Sequence, residues 1–277
     1  MRISHLSDLH FGHHDERVAG QLAADIAAQH PDLVVVSGDF TMVGSSAEFA
    51  EARAFLDTLT VPVLAVPGNH DVPAINLLKR FLDPYGNYRR YIADDLEPFL
   101  NIDGVAIAGI KTSRRIRPSL DWAQGSISRH QLRELEARFA GAPADAVRVV
   151  VAHHPLLLPE GPMLKPMRHV EHADRALEAF GRLGVRLVLS GHFHLSYVRK
   201  HEHSGEIREG EPQGPREAAV APILIAQASS TISTRLRGEP NAYNVIDIDA
   251  AAGTITVAVR EWSGDAWVTR EKASAPA

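Results

Sequence analysis

Histidine and aspartate fall in five short clusters along this chain: Asp8-Leu9-His10, Gly38-Asp39, Gly68-Asn69-His70-Asp71, His153-His154-Pro155 and Gly191-His192-Phe193-His194. Carboxylate oxygens, an amide oxygen and imidazole nitrogens are metal donors, and no cysteine is present to add a thiolate. Asp8, His10, Asp39, Asn69, His153, His192 and His194 make a mixed O/N set that suits manganese, iron or zinc better than calcium, without the softness for copper(I). Side chains two apart on an extended segment face the same way, so Asp8 and His10 can reach one ion together. Asp39 follows a glycine, and its two oxygens can bridge two cations. The expectation is a site for two divalent or trivalent metal ions.

Strand patterning is what must bring these clusters together. Each directly follows an apolar, β-branched run: Ile3–Ser7, Leu33–Val36, Val61–Val66, Val147–Val151 and Val185–Leu189. Ligands of open α/β sheets bind beyond the carboxyl ends of the strands, which predicts five loops at one edge of one sheet. Helical patterns separate the strands at roughly Glu16–Gln29, Ala47–Leu59, Ile75–Leu82, Ser128–Phe139 and Ala173–Leu183, with Ser128 as an N-cap. Residues 201–218 are polar and rich in Gly, Pro and Glu, which reads as a surface arm. Four later runs, Ile223–Ala228, Tyr243–Ile248, Thr254–Arg260 and Ala266–Arg270, are expected to form a meander completing a second sheet. The expected organisation is one domain over residues 1–270 and a frayed tail at 271–277.

A chain of 277 residues, 45% hydrophobic and 23% charged, has room for one large α/β core. Its formal net charge of −5 argues against a nucleic-acid polymer as partner. No apolar run reaches membrane-spanning length, and the chain opens in a strand at Arg2, so a cytoplasmic enzyme is expected. A homo-oligomer is compatible with these features.

Taken singly, Gly-Asp is usually a turn, and Asn and Gly favour turns in Gly-Asn-His-Asp. In order, each after a strand, the five clusters form the pattern DxH, GD, GNH[DE], H, GHxH, which resembles the calcineurin-like metallophosphoesterases over about residues 1–195. The resemblance implies an α/β four-layer sandwich of two mixed β-sheets flanked by helices. It also implies that Asp8, His10, Asp39 and His194 bind one metal, while Asp39, Asn69, His153 and His192 bind the other, with Asp39 bridging. Spacing alone does not divide the ligands between the ions. His154 is expected to support His153 or to face the pocket. His70, not a ligand in the family pattern, is placed to protonate the leaving group or to stabilise negative charge, with Asp71 orienting its ring.

Two divalent ions, balanced by Asp8, Asp39 and a hydroxide nucleophile, leave the inner site at about +1, which matches a phosphodiester monoanion. Departures from related groups point the same way. The GDxxDRG motif of the Ser/Thr protein phosphatases is missing, Met42 stands where purple acid phosphatases supply a tyrosine ligand, and His70 stands where bacterial UDP-diacylglucosamine hydrolases typically carry arginine. The chain looks most like bacterial cyclic-nucleotide and glycerophosphodiester phosphodiesterases, so a small phosphodiester is the expected substrate. The alternatives are a pyrophosphohydrolase of a nucleotide-linked lipid or sugar, capped by Leu156–Leu158 and the arm, and a non-catalytic scaffold. Arg114, Arg115 and Arg117 are candidate substrate contacts, and His13 or His14 could touch substrate. His5 is expected to be a satisfied core histidine.

Overall fold

The computed structural model describes residues 1–114, 124–160, 167–202 and 221–276, the last six by backbone alone. The arm expected at 201–218 lies outside the described residues except for His201 and Glu202, and so do Arg115 and Arg117.

Among the described residues twelve strands and six helices follow one another along the chain. They are β1 (Arg2–Leu6), α1 (Glu16–Ala28), β2 (Leu33–Val36), α2 (Ser46–Leu56), β3 (Val63–Ala65), α3 (Leu77–Leu82), α4 (Gly86–Tyr91), β4 (Phe99–Ile102) and β5 (Val105–Ile110), followed by α5 (Arg129–Ala140), β6 (Val147–Ala152), α6 (Ala173–Arg182), β7 (Val185–Ser190), β8 (Tyr197–His201), β9 (Ile223–Gln227), β10 (Ala242–Asp249), β11 (Thr254–Trp262) and β12 (Trp267–Pro276). One sheet runs β12-β11-β10-β1-β2-β3 and the other β4-β5-β6-β7-β9-β8. Both are mixed. Strands β1, β2 and β3 pair in parallel and β10 joins β1 antiparallel, while β5, β6, β7 and β9 are parallel between the antiparallel edges β4 and β8.

Alternation along each strand builds four layers. Leu33 and Val35 of β2 pack with Val149 and Val151 of β6 and Leu187 and Leu189 of β7 in a core between the sheets. Val34 and Val36 turn the other way, onto Val18, Leu22 and Ile26 of α1 and Phe49 of α2. On the far face of the second sheet, Val150 and Val188 meet Leu135 and Phe139 of α5 and Phe180 of α6. The central strands are therefore buried on both faces, which is why they read as continuous apolar runs. Helices begin where side chains cap them. Ser45 and Ser128 form capping boxes with Glu48 and Gln131, and Asp15 accepts from Arg17 N and Val18 N.

Three expectations are corrected. The motif-bearing strands do not share a sheet: β1, β2 and β3 lie in one, β6 and β7 in the other. Of the late strands, β9 enters the second sheet beside β7, while β10, β11 and β12 form a meander that extends the first. Residues 271–276, expected to fray, continue β12 against β11 to the pair Thr254↔Pro276. Among the described residues no helix is long and apolar enough to cross a membrane.

His5 is fully buried, accepting from Asn244 Nδ2 at Nδ1 (3.2 Å) and donating from Nε2 to Ser37 Oγ (3.0 Å). Both nitrogens are used by the neutral ring, and burial pushes the imidazole down from 6.5 to about 3. The unfolded chain therefore takes up a proton that the folded one refuses as pH falls from 6.5 towards 3, and stability falls with it. His5→Gln is expected to flatten the dependence of unfolding free energy on pH between about pH 4 and 6 by up to about 1.4 kcal/mol per pH unit. Urea unfolding at several pH values checks this, and parallel profiles for the two proteins would refute it.

Candidate metal centre

Beyond β1 and β2 the two chains stay zipped: Asp8 N donates to Gly38 O (3.0 Å), His10 N to Asp39 O (3.0 Å) and Phe11 N to Phe40 O (2.8 Å). Here the backbone turns sharply. Asp8, His10, Asp39, His192 and His194 all have positive φ, between 50° and 75°. Non-glycine residues persist in this region only when their surroundings over-determine them, and such strain clusters at functional sites. Gly38, with φ of 99°, lets three loops meet, since a Cβ there would lie 2.7 Å from Gly68 N and 2.8 Å from His153 Nδ1. At Gly191 a Cβ would collide with Ser7 Oγ and stand 2.6 Å from Asp8 Oδ2, so glycine allows the loop after β7 to reach the loop after β1 in the other sheet.

Hydrogen bonds leave one donor atom of each group facing a common centre. Asp8 Oδ2 accepts from Ser7 Oγ (2.7 Å) and His192 N (2.8 Å), so Oδ1 points inward. Asp39 Oδ1 accepts from His70 N (2.8 Å), which leaves Oδ2. His10, His153 and His194 direct Nδ1 to the carbonyls of Thr41 (3.2 Å), Ser37 (2.8 Å) and Arg235 (2.9 Å), presenting Nε2. This is how histidines are oriented for metals. Nε2 of His194 is 3.3 Å from Asp8 Oδ1, Nε2 of His10 is 3.7 Å from Asp8 Oδ1 and 3.8 Å from Asp39 Oδ2, and Nε2 of His153 is 3.3 Å from Asp39 Oδ2 and 3.1 Å from Asn69 Oδ1. His192 stands beside His153, ring centroids 5.2 Å apart. Asp8 Oδ1, His10 Nε2 and Asp39 Oδ2 are buried with no hydrogen-bond partner. Buried polar atoms without partners are costly, and this donor set fits metal ions.

Burial would raise the Asp8 and Asp39 carboxyls, yet the adjoining histidines, His194 and His10 for Asp8 and chiefly His153 for Asp39, hold both well below the usual range. Burial also opposes charging His153, but the Asp39 carboxylate outweighs it and lifts the ring to about 9. Protons and cations thus compete for the same atoms.

The outer residues differ from expectation. Asp71 does not orient His70. Its carboxylate accepts from Gly68 N (2.8 Å), Thr41 N (3.1 Å) and Thr41 Oγ1 (3.1 Å), fastening the loop after β3 to the loop after β2. Burial, then repulsion by Asp39, pushes its carboxyl up to about 7. The His70 ring instead donates from Nδ1 to Met42 O (2.7 Å), and Nε2 lies 3.2 Å from Arg235 Nη1. His154 is buried with Nδ1 on Thr112 Oγ1 (2.7 Å), and it joins His153 and His192 in a triad with donor atoms within 4.8 Å of one another. Arg114 is held away from the centre, donating to Ser126 Oγ (2.7 Å), Ser126 O (2.8 Å) and Gln131 Oε1 (2.9 Å). Leu156 is buried under the second sheet and Leu157 packs against that core, and neither lines the cavity beside the metal donors. His13 and His14 do not line the cavity at the centre.

That cavity, about 270 Å³, is lined by Asp39, Asn69, His70, His192 and His194 and by three arginines, Arg168, Arg235 and Arg237. Sequence reasoning missed these arginines. Arg235 and Arg237 follow β9, which ends at the same sheet edge as β7, so the strand-to-loop rule would have reached them had β9 been assigned to that sheet.

Two mixed sheets thus bring metal-type donors together at their carboxyl edges. The chain belongs to the calcineurin-like phosphoesterase family, whose model matches residues 1–196, and it is accordingly a phosphoesterase. It is 29% identical over 211 residues to the glycerophosphodiester phosphodiesterase GpdQ of Enterobacter lignolyticus, across 70% of this chain and 71% of that protein. It is 26% identical over 182 residues to a probable cyclic nucleotide phosphodiesterase of Synechococcus sp., across 65% of each. Among solved structures, purple acid phosphatase PPD1 from yellow lupin seeds shares the fold, with a TM-score of 0.62 at 12% identity. The alignment covers 99% of this chain and 53% of that one, so the chain spans about half its length.

Gly191→Ala is expected to keep the fold and lose metal affinity by at least about tenfold, because the added methyl displaces Ser7 and Asp8, which orient the donors. Circular dichroism with elemental analysis checks this, and full metal loading of the variant would refute it.

Proposed function

We propose that this chain is a dinuclear metal-dependent phosphodiester hydrolase acting on a cyclic nucleotide or small glycerophosphodiester. The observation that carries the reading is the convergence of Asp8, His10, Asp39, Asn69, His153, His192 and His194, with buried donor atoms of Asp8, His10 and Asp39 left without hydrogen-bond partners. Asp8, His10 and His194 would hold one ion and Asn69, His153 and His192 the other, with Asp39 shared. Manganese, iron or zinc bound there supplies a water of lowered pKa and Lewis-acid polarisation of the phosphoryl group. Phosphodiester hydrolysis is also what the names of the two curated relatives describe.

The protein's own groups do the rest. Ser7 and the His192 amide fix Asp8, and three backbone carbonyls fix His10, His153 and His194, so the donor atoms are placed before a cation arrives. His70 and Arg235 face the cavity as a pair. With Nδ1–H engaged by Met42 O, Nε2 is the acceptor for the Arg235 guanidinium, and a proton on Nε2 would put two cations 3.2 Å apart. Burial first, with the Arg235 charge among the lesser causes, pushes the His70 imidazolium down. His70 therefore steers a guanidinium towards negative charge developing on the phosphoryl oxygens and leaving group, in preference to donating a proton itself.

The test of the reading is hydrolysis by metal-reconstituted protein. The expected outcome is about two ions per chain and a higher kcat/KM for bis-p-nitrophenyl phosphate than for p-nitrophenyl phosphate. Asp39→Ala is expected to cost activity more than any other ligand substitution, because it removes the shared carboxylate and leaves the cations to repel each other. A single tightly bound ion, with an Asp39→Ala protein still loaded and active, would overturn the dinuclear assignment.

His70→Ala is expected to keep both ions and lose about 10²–10³-fold in kcat, equally across aryl diesters of different leaving-group pKa. A loss that shrinks as the leaving group improves would instead assign proton donation to His70.

A further inference from the structure

Arg168, Arg235 and Arg237 reach the cavity from two loops far apart in sequence, one before α6 and one after β9. Among the described residues none of the three forms an ion pair. The chain carries 34 acidic against 29 basic side chains, yet among the described residues Asp39 is the one acid on this wall, and its oxygen without a hydrogen-bond partner faces the metal donors. Arg235 is held in place: its carbonyl accepts from His194 Nδ1, its amide donates to Ser233 Oγ (3.1 Å) and its guanidinium meets His70. Arg168 and Arg237 are exposed, with no hydrogen-bond acceptor among the described residues.

The charge balance follows. A phosphodiester monoanion neutralises an inner site of about +1, and three guanidiniums beside it remain uncompensated. Unpaired cations gathered on one concave wall repel each other, and an anion between them relieves that repulsion and gains charge-assisted, bidentate hydrogen bonds. The solvated-surface alternative, natural for isolated arginines, does not account for three from two distant loops meeting beside the donor atoms in an otherwise acidic protein.

We infer that the wall formed by Arg168 and Arg237, anchored by Arg235, is a second anion subsite that selects phosphodiesters carrying a further phosphate group. This rests on the phosphodiesterase reading and names its substrate class as a diester of total charge −2 or more negative, with one anion at the metal donors and the other at the arginines. The same wall would retain a doubly phosphorylated product.

A matched pair of probes tests it: the p-nitrophenyl ester of thymidine 5′-phosphate with and without a 3′-phosphate. Wild-type protein is expected to favour the 3′-phosphorylated ester by about tenfold or more in kcat/KM. That ratio should fall towards one in Arg237→Gln and Arg168→Gln and be largely retained in Arg237→Lys. Calorimetric binding of thymidine 3′,5′-bisphosphate against thymidine 5′-phosphate, in wild type and Arg237→Gln, reads the subsite without turnover and should show the same preference and its loss. A wild-type ratio near one in both measurements, or a preference unchanged in both glutamine variants, would overturn the inference. Failure of the phosphodiesterase reading would show instead as no hydrolysis of either ester, with the binding preference still deciding the subsite.

Discussion

Two carboxylates with no access to solvent, Asp8 and Asp39, set the terms for the rest of this molecule. Each has one oxygen satisfied by the protein and one that is buried without a hydrogen-bond partner. An isolated buried carboxylate is among the most costly groups a protein can hold, and it persists only where positive charge meets it. Two histidines from separate loops, His10 and His153, whose rings the carboxylates push up despite burial, supply part of that charge balance, and cations at the same centre would supply more. The strained backbone at Asp8, His10, Asp39, His192 and His194 is then intelligible. The loops fold tightly because the donors must converge, and the inter-sheet core below is rigid enough to hold them there.

Placing the donors on two sheets has a consequence for stability. The Asp8 loop belongs to the first sheet and the His192 loop to the second, yet His192 N donates to Asp8 Oδ2 and Thr231 N to Ser7 O. The site is therefore a clasp across the sandwich as well as a reaction centre. Anything that loosens the packing of Leu33 and Val35 against Val149 and Leu187 also moves one half of the donor set against the other. Cation binding and sheet packing are thermodynamically linked, because the cation binds a geometry that the folded chain alone provides.

Much of this was legible in the sequence because local signals coincided. β-branched runs gave the strands, Ser128 gave a helix start, and the order of five short motifs pointed to residues that the structure brings together. Sheet membership was not legible, since nothing in Val147–Val151 says that it pairs with β5 and β7 instead of β1. The same gap hid the arginines, because Arg235 and Arg237 become site residues only once β9 is known to lie beside β7. His70 shows a second limit. Asp71 is its sequence neighbour, but the ring is held by the carbonyl of Met42, a backbone group that no residue-type argument singles out. Asp71 turns inward to fasten two loops, and its neighbour turns outward. The tail was misread for a related reason: its small and polar residues give no packing signal, and its order comes from the backbone ladder with β11.

Arg235 joins the two parts of the cavity that the sequence left separate. Its carbonyl fixes the tautomer of His194, so it presents Nε2 towards Asp8, while its guanidinium touches the ring of His70. Backbone and side chain of one residue thus support a metal-type donor and the cavity-facing ring of His70. The loop after β9 therefore carries Arg235 and Arg237 of the arginine wall and also orients His194. A second anion at the wall, as inferred above, would thus link substrate charge to donor geometry through this loop. A strand outside the motif pattern thus ends beside the donor atoms, and the loop after it contributes both to their orientation and to the cavity wall.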